Sequence, residues 1–184
     1  MAEKYTIILS FTDLIETFSE FLVASIHTIL NARALYPPET FIRTRKYNLE
    51  VPQSRLPTVC VWIEKACMAV QAELFRGVVR HIILIIYRQD TEDTEVVERW
   101  VFDVDCFPVV PEDSVLIDLV RLGSEKNISR VDIEEQLRAT MGKLTYDGKK
   151  LATLPENCTY MVALEFKNQA DPPMEVRFPL LSRE

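Results

Sequence analysis

The side chains that most often perform acid–base or metal chemistry are few in this chain. Only two histidines occur among its 184 residues, His27 in a segment with helical spacing and His81 in a β-branched segment. Neither has a serine, cysteine or aspartate at the spacing of a catalytic motif. We therefore expect both to be packed or hydrogen-bonded structural residues rather than general bases or metal ligands.

The cysteines give no clear metal or disulfide pattern. No Cys-x-x-Cys pair is present, and this scatter predicts reduced, buried thiols. A zinc ion held by Cys60 and Cys67 would need ligands from elsewhere. A small enzyme with Cys60 or Cys158 as its nucleophile is a rival hypothesis, weakened because no base is placed beside either thiol. The four cysteines are Cys60, Cys67, Cys106 and Cys158.

Sites for phosphate and calcium are not predicted either. The chain has four glycines, and none of them can be arranged into a glycine-rich phosphate loop. The acidic run 90–95 has neither the glycine nor the terminal glutamate of an EF-hand loop, so we interpret it as a solvated turn. We expect no cofactor and no bound metal.

Bulk composition indicates a single domain with one core. Hydrophobic residues make up 48% of the chain, and the net charge is -7 with a pI near 5.0. An acidic surface repels phosphate, and the largest basic group, Arg43, Arg45 and Lys46, is small, so we expect no direct nucleic-acid binding. The first residues lack the order of a signal peptide, and the longest apolar run, 82–87, is far short of the roughly 20 residues of a membrane helix. We expect neither export nor membrane insertion.

The spacing of apolar residues predicts three helices and three strands. The first helix should start at Thr12 and end before Tyr36-Pro37-Pro38, because proline disfavours helix in the residue before it. Segregated helices and strands indicate an α+β fold with the three helices on one face of an antiparallel sheet. The predicted elements are helices 12–33, 56–75 and one from Ser129 onward, strands 78–88, 96–104 and 158–167, an extended piece 41–47 and a helical turn at 116–122.

Short segments in both halves of the chain match a known pattern in their order and spacing. They are 19–22, 26–30, Arg33, 35–37, Phe41, 45–48, 51–52, 100–103, 138–139 and 155–160. On these segments the chain resembles the HORMA domain family over residues 10–168. The similarity is greatest to its branch of noncatalytic accessory subunits of translesion DNA polymerase zeta, in a fungal form.

The resemblance implies a fold and a binding mode. In this family three helices pack on a three-stranded antiparallel sheet, and a partner peptide adds as a strand to a free sheet edge while a C-terminal "safety belt" folds over it. Here the edge would be strand 158–167, with Tyr160, Val162 and Leu164 against the peptide. Trp62, on the second helix, stands where the family has an aromatic residue that contacts the peptide, although ordinary core packing would explain it equally well.

The resemblance also implies a surface for a second HORMA domain. Arg138 and Lys143 on the third helix match positions where the family uses a basic residue to form homodimers or heterodimers, and Arg43 matches a further interface position. Solvated charges would look the same in sequence. Residues 178–181 resemble the start of the safety belt, and we expect 169–184 to be an incomplete belt within a single domain, 1–184.

The resemblance implies a noncatalytic adaptor in DNA damage tolerance. Its expected partners are a proline-containing peptide of the polymerase zeta catalytic subunit and a Y-family scaffold polymerase, in the nucleus and the cytoplasm. The alternatives are a spindle-checkpoint HORMA protein and a structural oligomeriser that uses Arg43, Arg138 and Lys143 at a self-interface.

Overall fold

A computed structural model describes residues 10–89, 94–109 and 130–167 of the chain. Within these ranges lie three α-helices, five strands and a short 3-10 helix, Pro38–Thr40. The elements are α1 (Phe11–Ala32), β1 (Phe41–Lys46), β2 (Leu49–Ser54), α2 (Pro57–Phe75), β3 (Val79–Gln89), β4 (Thr94–Asp103), α3 (Arg130–Lys150) and β5 (Cys158–Phe166).

The main sheet is three-stranded and antiparallel, with β3 between β4 and β5. Alternate residues of β3, namely Ile82, Leu84 and Ile86, are at most 1% exposed and point toward the helices. They pack with the buried faces of α1 and α2 in one hydrophobic core. The α+β prediction, with the helices packed on a three-stranded antiparallel sheet, is confirmed.

The helix α1 lies at the centre of this core. Residues such as Phe11, Ile15 and Ile26 are fully buried, as the apolar spacing predicted. Its N-cap is Ser10, whose hydroxyl accepts from the Asp13 backbone N–H while the Asp13 carboxylate accepts from the Ser10 N–H. The prediction that the helix starts at Thr12 was wrong, because Ser10 with Asp13 forms the capping box.

A second sheet, the hairpin β1–β2, was not predicted in full. The sequence indicated one extended piece at 41–47, whereas β1 pairs with β2 in antiparallel register. Its two-residue turn places Tyr47 and Asn48 at φ of 49° and 59°, the left-handed region typical of such turns. The hairpin is tied to α1 because Nδ1 of the buried His27 accepts a hydrogen bond from the Ser54 backbone N–H at 3.3 Å.

The helix α3 is held against the rest of the fold by a buried arginine. Arg33, just after α1 and 6% exposed, donates to the Glu98 carboxylate from Nε at 3.0 Å and to the carbonyls of Gly148 and Ala152. A single guanidinium thereby joins α1, β4 and the C-terminal end of α3. A Cβ on Gly148 would lie 2.8 Å from the Cβ of Ala32, so the glycine allows this close approach.

The remaining predictions have mixed outcomes. Cys67 and Cys158 are buried as expected, but Cys60 is half-buried and Cys106 is exposed, so the prediction of four buried thiols was wrong. The proposed helix start at Ser129, the turn at 116–122, most of the acidic run 90–95 and the belt region 169–184 lie outside the described residues.

The described residues contain neither a membrane-spanning helix nor a cluster of metal-binding side chains. No helix there is long and apolar enough to cross a membrane. In the same residues no three histidine, cysteine, aspartate or glutamate side chains gather at metal-binding distance.

Candidate functional site

The strand β5 has an open edge in the part of the chain that the structure describes. There β5 pairs with β3, through Val79–Arg88, and no other described strand lies beside it. An unpaired edge of this kind is a template for one more strand. That a partner peptide adds to this edge stays a prediction.

Three side chains expected at this edge lie on one side of β5. Tyr160, Val162 and Leu164 stand opposite Ile86, Leu84 and Ile82, which are the helix-facing residues of β3. Tyr160 is 7% exposed, while Val162 and Leu164 are half-buried. The structure brings the three together at the border between the core and the open edge. Whether they contact a peptide stays a prediction.

An aromatic cluster of Tyr36, Trp62 and Tyr160 lies behind the edge. The half-buried ring of Trp62 meets the Tyr160 ring edge to face, with centroids 4.9 Å apart. The Tyr36 ring lies 6.3 Å from Tyr160, and the two hydroxyls are 3.5 Å apart. Burial first, and then the hydrogen bond with Tyr36, raises the pKa of Tyr160, so its phenol stays neutral. The cluster offers flat, uncharged walls.

The thiols near the cluster are poor nucleophiles. Cys60 donates from Sγ to the Ser54 carbonyl at 3.2 Å, and burial, followed by the nearby Glu64 carboxylate, raises the pKa of this thiol. Cys158 is 5% exposed. A thiol with a raised pKa is mostly protonated at neutral pH, which argues against the cysteine-enzyme hypothesis.

The three predicted interface cations are all exposed, and only Arg138 lines the groove beside α3. Arg138 lies in a groove of about 530 Å³ between α3 and the β1–β2 turn, together with Lys46 and Tyr47. Its nearest carboxylate, Glu135 on the same helix, is 3.9 Å away. Lys143 lies further along α3 and Arg43 on β1, and neither lines this groove. Their role in an interface stays a prediction.

Two residues that make important tertiary contacts were not predicted from the sequence to do so. Tyr36 was interpreted as the end of a helix and as part of the family pattern, but not as a site residue, yet it flanks Tyr160. Arg33 was noted only as part of a pattern, yet it holds α3 in place. Both make contacts with residues more than sixty positions away, and spacing along the chain carries no signal for such pairs.

Comparison with known proteins decides the family. The model of the HORMA domain matches residues 15–182, which is most of the chain. The chain belongs to the HORMA domain family. The resemblance predicted from the sequence segments is therefore confirmed.

Curated relatives fall into two functional groups. The HORMA domain is 35% identical over 159 residues to the DNA polymerase zeta processivity subunit of Schizosaccharomyces pombe, covering 84% of this chain and 69% of that protein. It is 32% identical over 145 residues to the mitotic spindle assembly checkpoint protein MAD2A of Dictyostelium discoideum, covering 79% of this chain and 66% of that protein. The expected similarity to polymerase zeta accessory subunits is confirmed, and checkpoint proteins are weaker relatives.

Solved structures agree on the fold. A chain of the mitotic checkpoint complex superposes with a TM-score of 0.67 at 22% identity, covering 93% of this chain and 86% of that one. The C. elegans protein HTP-1, solved with a HIM-3 closure motif bound, superposes with a TM-score of 0.63 at 16% identity, covering 97% and 79%. At these identities the likeness shows the HORMA fold alone.

Proposed function

We propose that this HORMA domain is a noncatalytic accessory subunit of DNA polymerase zeta that binds a proline-containing peptide of the catalytic subunit. The observation that carries the proposal is the open edge of β5 with the cluster of Tyr36, Trp62 and Tyr160 behind it. Similarity to the fission yeast processivity subunit of that polymerase supports the choice of partner.

The binding mode follows from the chemistry of the edge. A peptide that adds to β5 gains backbone hydrogen bonds whatever its sequence, so selectivity must come from side-chain contacts. Aromatic walls such as Trp62 and Tyr160 favour a flat, rigid, apolar group, and a proline ring has these properties. A proline also lacks a backbone donor, so it suits a position where the peptide leaves the strand.

The same proposal includes a second contact surface. Arg43, Arg138 and Lys143 are exposed cations that would pair with another HORMA domain. The adaptor would also bridge a Y-family scaffold polymerase to the catalytic subunit. Residues 1–184 would act as one domain, with 169–184 as an incomplete part of the belt. The expected location is the nucleus and the cytoplasm, where these polymerases are made and used.

Titration with a proline-containing peptide from the polymerase zeta catalytic subunit tests the peptide site. We expect Trp62→Ala to weaken binding by about 2 kcal/mol or more, roughly thirtyfold, because aromatic anchors carry most of the energy of such interfaces. The matched control is Tyr146→Ala, which removes an aromatic ring that is 61% exposed on α3. Unchanged affinity in the Trp62 variant, with its fold retained, would contradict the assignment.

Sedimentation tests the cationic surface. If Arg138 pairs with a second HORMA domain, Arg138→Ala should lower the association constant by up to about fivefold, the range of a single exposed ion pair. An unchanged oligomeric state in a double variant that also carries Lys143→Ala would remove this surface from the proposal.

A checkpoint function is the second candidate. Identity of 32% to the MAD2A protein of Dictyostelium discoideum favours it, and the same edge would then receive a different client. Affinity purification separates the two functions. Recovery of polymerase subunits supports the first, whereas recovery of spindle checkpoint proteins without polymerase subunits would overturn it.

A further inference from the structure

The outer face of the main sheet, which is turned away from the helices, carries a band of apolar side chains. Ile83 and Ile85 of β3 alternate with the core-facing residues of that strand, so their side chains lie on the outer face. Val101 of β4 and Ala163 of β5 stand opposite Ile83, and Met161 of β5 stands opposite Ile85. The apolar band therefore runs across all three strands and reaches the edge strand β5.

The two ends of this band are its most exposed parts. Val101 is 56% exposed on β4 and Met161 is 44% exposed on β5, whereas Ile83 and Ile85 between them are half-buried by their neighbours. Among the described residues no strand lies beyond Met161. A strand added beside β5 would cover one side of Met161, and it would run roughly 14 Å from β4, which is three strand spacings away. Such a strand would leave Val101 uncovered.

The surroundings of Met161 indicate which side chain fits beside it. Its neighbours on the outer face of β5 are Thr159 and Ala163, and neither is charged. Arg99 is separated from Met161 by β3, and Glu165 lies four residues along β5. A charged peptide residue directly beside Met161 would lose water and would gain no partner of opposite charge in the nearest positions. An apolar side chain would bury the exposed part of Met161.

We infer that Met161 is a specificity-determining residue of the peptide site and selects an apolar side chain of the partner peptide on the outer face of the extended sheet. The inference rests on the proposed addition of the peptide to β5. Side chains of an added strand alternate between the two faces of the sheet. Those on the inner face turn toward Tyr160 and Val162, so those on the outer face must continue the apolar band. A β-branched or aromatic residue packs best at such a cross-strand position.

Two matched glutamate substitutions test the inference in titrations with the proline-containing peptide of the polymerase zeta catalytic subunit. Met161→Glu should weaken binding by the 184-residue chain about fivefold, because it replaces an apolar cross-strand pair. Val101→Glu adds the same charge to the same face of the sheet at a similarly exposed position, and it should leave the affinity unchanged. Met161→Leu keeps the apolar contact and should bind like the native chain.

A lysine scan of the peptide identifies the residue that lies beside Met161. Peptides that carry one lysine at successive positions are titrated against the native chain and against the Met161→Glu variant. At one position the lysine should weaken binding to the native chain but restore binding to the variant by about fivefold, because it forms a cross-strand pair of opposite charge. Altered folding of the variant would not produce a rescue that depends on peptide position.

The outcomes separate this inference from the proposed function. If the native chain binds the peptide and Trp62→Ala weakens binding, but Met161→Glu and Val101→Glu bind equally well, the inference is overturned and the peptide site stands. Rescue by lysine at no position of the peptide would also overturn it. If the native chain does not bind the peptide, both the inference and the proposed peptide site are overturned.

Discussion

The open edge of β5 and the outer face of α3 are the two surfaces that we expect partners to use, and they differ in what lies behind them. Behind β5 stand Trp62 and Tyr160, packed ring against ring in the core. The outer face of α3 presents Arg138 and Lys143 to solvent. The Glu135 carboxylate lies 3.9 Å from the Arg138 guanidinium, too far for a strong ion pair. A packed surface is held in its binding shape before the partner arrives, whereas exposed charges must be ordered on binding. Single substitutions should therefore matter more at β5 than on the outer face of α3.

The largest effect on stability is expected at the inner face of α3, where Arg33 binds the end of the helix. Arg33→Met would leave the Glu98 carboxylate, which is 16% exposed, without its cation and would free the carbonyls at the end of α3. Removing one partner of a buried ion pair costs about 3 to 5 kcal/mol. Urea denaturation should show a loss of this size in the free energy of unfolding.

The outer face of the same helix supplies the control for that experiment. Arg138→Met makes the same chemical change at an exposed position and should alter stability by less than about 0.5 kcal/mol. Equal effects of the two substitutions would show that the contrast between the inner and outer faces is mistaken.

Acid pH should lower the stability of the fold through His27, which holds the β1–β2 hairpin and its residue Arg43 against α1. Burial lowers the pKa of His27 from 6.5 to about 4. Between pH 6.5 and pH 4 the unfolded chain therefore binds a proton at His27, whereas the folded chain does not. Stability should fall as pH drops from about 6.5 to about 4, by roughly 3 kcal/mol in all from this residue.

The variant His27→Gln isolates that contribution. It should be less stable than the native chain at pH 7, because it loses the bond to Ser54, but the gap between the two should narrow toward pH 4. Thermal or urea unfolding of both proteins across this pH range measures the gap. A gap that stays constant with pH would rule out His27 as the titrating group.

Two glycines of α3 give the smallest expected effects, with opposite signs. Gly148→Ala would place a Cβ 2.8 Å from that of Ala32, so the helices must separate, at a cost of about 1 to 2 kcal/mol. Gly142→Ala meets nothing within 4 Å and should stabilise α3 by up to about 1 kcal/mol. Melting temperatures that move in the same direction for both variants would contradict the assigned packing of α3.

Much of the fold could be predicted because local spacing reports burial. The helix α1 and the strands β3 and β5 each turn one face toward the core, and their apolar periods are therefore regular. The hairpin partner β2 was missed because it is six residues long and contains Pro52, a residue that argues against a strand. Its turn, Tyr47-Asn48, also lacks the glycine that usually marks such hairpins.

The candidate site could be predicted only in part. Trp62 and Tyr160 were named from family resemblance, and the structure places them in ring contact, but nothing in their spacing predicts that contact. The contacts of Tyr36 and Arg33 depend on residues brought together by the tertiary fold. Such pairings are set by packing between elements, so a single sequence does not reveal them.

The most direct test of the account is amide hydrogen exchange along β5 with and without the proline-containing peptide of the polymerase zeta catalytic subunit. A peptide that adds as a strand must pair with outward-facing N–H groups of Cys158–Phe166, so alternate amides there should become protected. In Trp62→Ala the protection should be lost at the same peptide concentration. Protection on α3 with none along β5 would contradict the claim that β5 is the peptide-binding edge.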